Sequence, residues 1–339
     1  MKKNPFRLYL IAVFSILIGV GIGLYMQSGK PRLVRQQFLM LGTIVDIQIV
    51  CPKQREPQAH EAIELAREEI AHLENLMSPY KPESDISRIN AAAGLEPVGV
   101  SEETFRTVSR ALSFSELTGG AFDITFSPVG KLWKLNPENP YIPNENEIAE
   151  KLKLVNYKDV ILNEQDRTIQ LAKKGMEIGL GGIAKGTAVD CAIKVIRENG
   201  FSNALVNAGG DLFALGKNRK NKPWLIGIRH PRDNNEFLLK IEVSNRAVVT
   251  SGDYERMVIV DGKRYHHILD PKTGYPAKKC ISVTVVAKDA ETADALSTAF
   301  FVLGAERGIE LAKQMPGVDV LFVNPKGKIH ATEFFNIPK

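Results

Sequence analysis

"IGLGGIAKGTAVD", residues 178–190, decides the fold, because its glycine spacing invites two phosphate-binding readings and its context rejects both. Gly179, Gly181 and Ala184 satisfy G-x-G-x-x-A, and Glu198 follows nineteen residues after Gly179, as in a dinucleotide-binding βαβ unit. In that unit the acidic residue ends the second strand. Here Glu198 falls in the last turn of a helix that stops at Asn199-Gly200. A Walker A loop fails too, since Lys185 precedes Gly186 and no Gly-Lys-Ser/Thr follows. What remains is physical. Consecutive glycines let a ligand approach the backbone, a helix starting near Ile183 aims free N–H groups outward, and Lys185 adds charge in its first turn. A phosphate or pyrophosphate suits such a loop, and a plain helix entry with close packing suits it equally.

The flanking elements point the same way. "LGTIVDIQIV", Leu41 to Val50, reads as the first strand, and a helix follows from about His60 to Met77 on the spacing of Ala62, Ile63, Ala66, Ile70, Leu73 and Leu76. "SPYKPESDISRIN" is a loop entering a short helix, residues 101–117 form another helix, and 136–143 are irregular. Strands are expected at Thr168–Ala172, Ala204–Asn207, Trp224–His230, Leu238–Val243, Arg264–Leu269 and Ile281–Ala287, with helices at Ile183–Asn199 and Ala290–Leu303. Several strands adjoin without an intervening helix. The expected class is therefore α+β, with largely antiparallel sheets packed with helices in two lobes.

An N-terminal segment, 1–29, precedes this body. Leu8 to Met26 is an uncharged apolar run long enough to cross a bilayer, following Lys2, Lys3 and Arg7. It lacks the short core and small-residue cleavage site of a signal peptide, so an uncleaved membrane anchor is favoured over a cleaved signal segment. Residues 30–37 read as a polar tether and 38–339 as the folded domain, lying on the extracytoplasmic side of the cell membrane. The formal charge of +5 does not indicate nucleic acid, because six basic and no acidic residues precede Asp46, leaving 38 basic against 39 acidic. Three cysteines without CxxC spacing indicate neither a disulfide framework nor a zinc cluster.

Two further stretches carry chemistry. In "DAETADALSTAFFVLG", Asp289 is an N-cap and Gly304 a C′ residue, and Asp294 and Thr298, four apart, share a face. A carboxylate and a hydroxyl among apolar neighbours form a hard-oxygen pair of the kind that holds Mg²⁺; a solvated helix face is the alternative. In "RYHHILDPKTGYP", His266 and His267 point to opposite faces of a strand, so they cannot share a zinc ion. One of them is a candidate general base, and an ordinary strand histidine is the alternative.

These motifs together resemble the FAD:protein FMN transferase family, also called the ApbE family. The resemblance runs in order from Leu41 to about Gly304: "LGT" at 41, "MSPYKPESDISRIN" at 77, "GGAFDITFSPVGKLW" at 119, "GLGGIAKGTAVD" at 179, "NAGGD" at 207, "TSGDYER" at 250, "HHILDPKTGYP" at 266 and "DALST" at 294. It implies an enzyme that binds FAD, cuts its pyrophosphate, attaches FMN through a phosphoester to a Ser or Thr of an acceptor flavoprotein, and releases AMP. It further implies Mg²⁺ held by Asp294, Thr298 and the backbone carbonyl of Gly182. An FAD site of Leu41, Tyr80, Ala121, Phe122, Asp123, Gly179, Lys185 and Leu269 follows from it, with His267 as the base. The implied acceptor is a membrane-associated redox subunit. Two departures stand out: many members carry an acid where this chain has Gly179, and the usual Met before Gly-Thr is Leu41. The competing functions are an FAD pyrophosphatase giving FMN and AMP, and a non-catalytic FAD-binding protein at the membrane surface.

Overall fold

In the computed structural model, which describes residues 31–233 and 235–337, a hairpin replaces the expected tether and single strand. Strand β1, Arg32–Met40, pairs antiparallel with β2, Thr43–Cys51, from Arg32↔Cys51 to Met40↔Thr43. The correction has a plain cause. Val34, Gln36, Phe38 and Met40 turn inward at period two, while Leu33, Arg35, Gln37 and Leu39 face solvent, so the polar composition concealed an edge strand. Leu41 does not open the strand; with Gly42 it makes the tight turn, both at positive φ (54° and 67°).

Helix α1, Glu56–Met77, is followed by α2, Asp85–Ala91, then β3, Val98–Gly99, and α3, Glu102–Leu117. Short helices α4, Ser127–Gly130, and α5, Glu145–Leu152, flank the irregular 136–143 segment, where one bridge joins Lys134 to Tyr141. Strands β4, Val160–Asn163, and β5, Thr168–Leu171, join β3 in a small sheet. Next come α6, Ala184–Glu198, β6, Ala204–Ala208, β7, Asp211–Leu215, and the hairpin of β8, Trp224–Arg229, with β9, Phe237–Val243. The chain continues through β10, Arg246–Gly252, β11, Met257–Val260, β12, Lys263–His266, and β13, Ser282–Ala287. Helices α7, Ala290–Leu303, and α8, Ala305–Lys313, lead to β14, Asp319–Val323, and β15, Ile329–Ala331.

The main sheet has the order β1-β2-β6-β7-β10-β13-β14-β15, and every strand pairing among the described residues is antiparallel. The expected α+β class with antiparallel sheets is thus observed. Its faces separate by alternation. Ile47, Val206, Phe213, Val249, Val285 and Phe322 join α1, α6 and α7 in the larger core, whereas Leu205, Leu212, Val248, Val286 and Leu321 pack under Trp224 and Ile241 of the β8–β9 hairpin. The apolar run Leu8 to Met26 lies outside the described residues, among which no helix is long and apolar enough to cross a membrane.

Candidate functional site

The glycine loop leads into α6, and α6 is locked against α7. A Cβ on Gly186 would strike the carbonyl of Ala290, so only glycine permits this approach. Asp190 accepts the N–H groups of Ala290 (2.8 Å) and Glu291 (2.9 Å), capping α7 from its neighbour. Thr187 donates to Glu291 (2.8 Å), whose other oxygen takes Arg110 Nε (2.9 Å). Close packing therefore explains the later half of the stretch, and its earlier half is different. Gly181 is exposed, and Ile183, at the N-cap position, offers no side-chain acceptor to the first N–H groups of α6.

One of those N–H groups, that of Gly186, meets the acid of α7. Asp294, 3% exposed, accepts the Gly186 N–H at 3.2 Å. Thr298 is the one residue of α7 that is not buried, which rules out the solvated helix face. A Cβ on Gly182 would lie 3.2 Å from Thr298 Oγ1 and 3.1 Å from Phe122 Cε2, so Gly182, Thr298 and Phe122 converge. Lys185 Nζ stands 3.9 Å from Asp294 Oδ2 and forms an ion pair with Asp211, itself buried. Burial, and next the charge of Asp211, hold the Asp294 carboxyl well above its usual range. Burial alone would push the Lys185 ammonium down, but Asp211 and Asp294 override it and raise it.

Whether these residues fit a divalent cation follows from their chemistry. Asp211 balances the Lys185 ammonium, so Asp294 contributes negative charge once its proton leaves, and its carboxylate and the Thr298 hydroxyl are hard oxygen donors. Among the described residues no three His, Cys, Asp or Glu side chains cluster as a metal-ligand set.

The remaining predicted residues divide. Ala121 and Phe122 are buried, and Gly179 N–H donates to the Ile124 carbonyl (2.8 Å), tying this segment to the glycine loop. A Cβ at Gly179 would approach Ser127 Oγ to 2.5 Å, and Glu177 pairs instead with Lys131. Asp123 has both oxygens engaged: Oδ1 accepts from Thr125 N (2.8 Å) and Thr125 Oγ1 (2.6 Å) in its own turn, and Oδ2 accepts from Tyr157 N (3.1 Å) in a segment 34 residues on. A cleft of about 330 Å³ opens between Gly120, Asp123, Tyr157, Pro271 and Lys272. Leu269 packs with Trp133 and Ile148 beneath the DPKTG turn, as core. Leu41 N–H donates to Glu74 (3.2 Å), and Tyr80, 90% exposed, lies in the loop after α1.

The histidines point apart. His266 is buried, its Nε2 3.0 Å from the Ala277 carbonyl and its ring against Phe301. His267 is exposed, and its backbone N–H donates to the Arg256 carbonyl (3.1 Å). Desolvation there, followed by the charge of Arg256, pushes its imidazole down to about 4, leaving a neutral ring at pH 7.

Sequence reasoning missed Asp211 and Arg256, although "NAGGD" and "TSGDYER" contain them. The available signal for Asp211 was an acid heading the apolar run "DLFAL" directly after a Gly-Gly turn.

Comparison with known proteins bears on this geometry. The model of the ApbE family matches residues 41–322. The FAD:protein FMN transferase of Treponema pallidum is 33% identical over 332 residues, covering 94% of this chain and 91% of that protein. One from Klebsiella pneumoniae is 36% identical over 256 residues, covering 75% and 79%. Among solved structures, the ApbE protein of Thermotoga maritima superposes with a TM-score of 0.83 at 38% identity, covering 90% of this chain and 98% of that one. The flavin transferase ApbE of Vibrio cholerae gives 0.79 at 30%, covering 90% and 99%.

Proposed function

The chain belongs to the ApbE family, and we propose that it is an FAD:protein FMN transferase, moving FMN from FAD to a Ser or Thr hydroxyl of an acceptor flavoprotein and releasing AMP. The observation that carries this reading is the convergence of Gly182, Lys185, Asp294 and Thr298, from segments over a hundred residues apart, at the start of α6. Mg²⁺ is the metal of this reading, with Asp294, Thr298 and the Gly182 carbonyl as its ligands. When bound, it would neutralise charge developing on the pyrophosphate as a Lewis acid.

The chain's own groups do the rest. The Lys185 ammonium, at the N-terminal end of α6, receives phosphate oxygens, with Asp211 holding Lys185 in place. Neutral His267 accepts the proton of the acceptor hydroxyl as its oxygen bonds to the FMN phosphorus; the pyrophosphate P–O bond breaks and AMP keeps the bridging oxygen. Leu41, Tyr80, Phe122, Gly179 and the cleft beside Asp123 are assigned to FAD. The folded body is read as two lobes behind an anchor at Leu8 to Met26. That places the enzyme at the cell membrane, facing the extracytoplasmic side, where a membrane-associated redox subunit would reach it.

The test uses the full chain in detergent with FAD, Mg²⁺ and a candidate acceptor, following AMP and acceptor mass. An acceptor mass gain of one FMN, abolished in Asp294→Ala, is expected. AMP without an adduct would convert the reading to a pyrophosphatase, and bound FAD without AMP to a flavin-binding protein.

A further inference from the structure

The motif "TSGDYER" is left without a role by the proposed reaction, yet it brings Arg256 to the same place. The Arg256 guanidinium Nη2 lies 3.9 Å from where a Cβ on Gly42 would stand, beside the Leu41–Gly42 turn. Its carbonyl accepts the His267 N–H at 3.1 Å, and Met257 pairs with His266 in the β11–β12 ladder. Arginine and base candidate are thus held in one backbone register. The guanidinium also lies within electrostatic reach of both Lys185 and His267.

The arginines around it are engaged. Arg232 makes a bidentate pair with Asp253 (2.6 and 2.7 Å), Arg264 lies 3.9 Å from the same carboxylate, and Arg229 lies 3.5 Å from Glu255. Arg256 is exposed and, among the described residues, has no carboxylate partner. A guanidinium near an ammonium, with no acid of its own, is an arrangement that an anion between them would relieve. Buried Asp253, clamped by Arg232, fixes the loop from which Arg256 projects.

We infer that Arg256 is a substrate-binding residue that takes a phosphate oxygen of the FAD pyrophosphate opposite Lys185, joining the charge clamp to His267 through its own backbone. This rests on the transferase reading above. Its chemistry is that of a planar donor fork on a phosphate, which lysine reproduces only as a point charge.

Full-length wild type, Arg256→Gln and Arg256→Lys would be compared for binding of FAD, ADP and riboflavin, for thermal unfolding, and for FMN transfer. Arg256→Gln should weaken FAD and ADP binding by about 10- to 100-fold, leave riboflavin binding and the melting temperature unchanged, and be partly rescued in Arg256→Lys. Equal FAD and ADP affinity in wild type and Arg256→Gln would overturn the inference, as would an equal loss of riboflavin affinity. Failure of wild type to release AMP from FAD would instead sink the transferase reading, leaving the ADP comparison to decide Arg256.

Discussion

Thr298 Oγ1 stands 3.2 Å from the position that a Cβ on Gly182 would occupy, although 116 positions of chain separate the two residues. A hydroxyl that close leaves room for backbone and little else. Gly182→Ala would press on Thr298 and on Phe122 together, costing about 1–3 kcal/mol in an overpacked site. The proposed Mg²⁺ affinity should fall by roughly tenfold or more, as when a ligand's support is displaced. Calorimetric titration of Mg²⁺ into both proteins with ADP present checks this; unchanged affinity would mean that Thr298 and Phe122 give way without disturbing the proposed ligands.

Gly186 differs from Gly182 in kind, since its missing side chain serves packing. A Cβ there meets the backbone carbonyl of Ala290, which cannot rotate away, so Gly186→Ala should force α6 from α7 and destabilise the fold by about 3 kcal/mol. Asp190→Ala, which uncaps two N–H groups of α7, should cost about 1–2 kcal/mol. Urea unfolding of both variants gives the ranking, and a harmless Gly186→Ala would refute the close approach.

Asp294 links stability to pH and metal. Its folded pKa is raised above the unfolded value of about 3.9, so the native state holds its proton longer. The stability that this proton contributes is complete below pH ~4 and is lost as pH rises through the folded value. With EDTA present, wild type should lose stability towards pH 8, and Asp294→Asn should lose less. Adding Mg²⁺ should raise the melting temperature of wild type alone. A variant with the wild-type pH slope and the wild-type Mg²⁺ response would contradict both assignments.

The sequence made the class and most helices legible because their signals are local. Asp289 and Gly304 bound α7 as read, and strands adjoining without helices announced antiparallel pairing. β1 escaped because an edge strand has one solvated face, and Arg35 and Gln37 on that face read as loop. The site was half legible for a related reason. Asp294 and Thr298 lie on one helix at a visible spacing, whereas Asp211 reaches Lys185, and Arg256 the His267 backbone, only through sheet register and loop geometry. Asp123 shows the converse: a residue carried over by resemblance whose carboxylate is shared between its own turn and the distant Tyr157 N–H, a bond visible only in three dimensions.

His267 carries a pH signature that an ordinary exposed histidine lacks. Its imidazole is lowered to about 4, first by desolvation and then by Arg256, so the neutral ring that accepts a proton persists well below pH 6.5. Transfer measured as kcat should show no loss attributable to this residue from pH 8 down to about 5, then decline as the ring protonates. His267→Gln should lower kcat by roughly 100-fold or more while FAD affinity holds, since a base acts on the acceptor's proton rather than on flavin binding. Removing the nearby charge in Arg256→Gln should move the acidic limb upward, because one of the two leading causes of the depression is gone. An acidic limb at pH 6.5 in wild type, unmoved in Arg256→Gln, would mean that the group limiting the reaction is not His267.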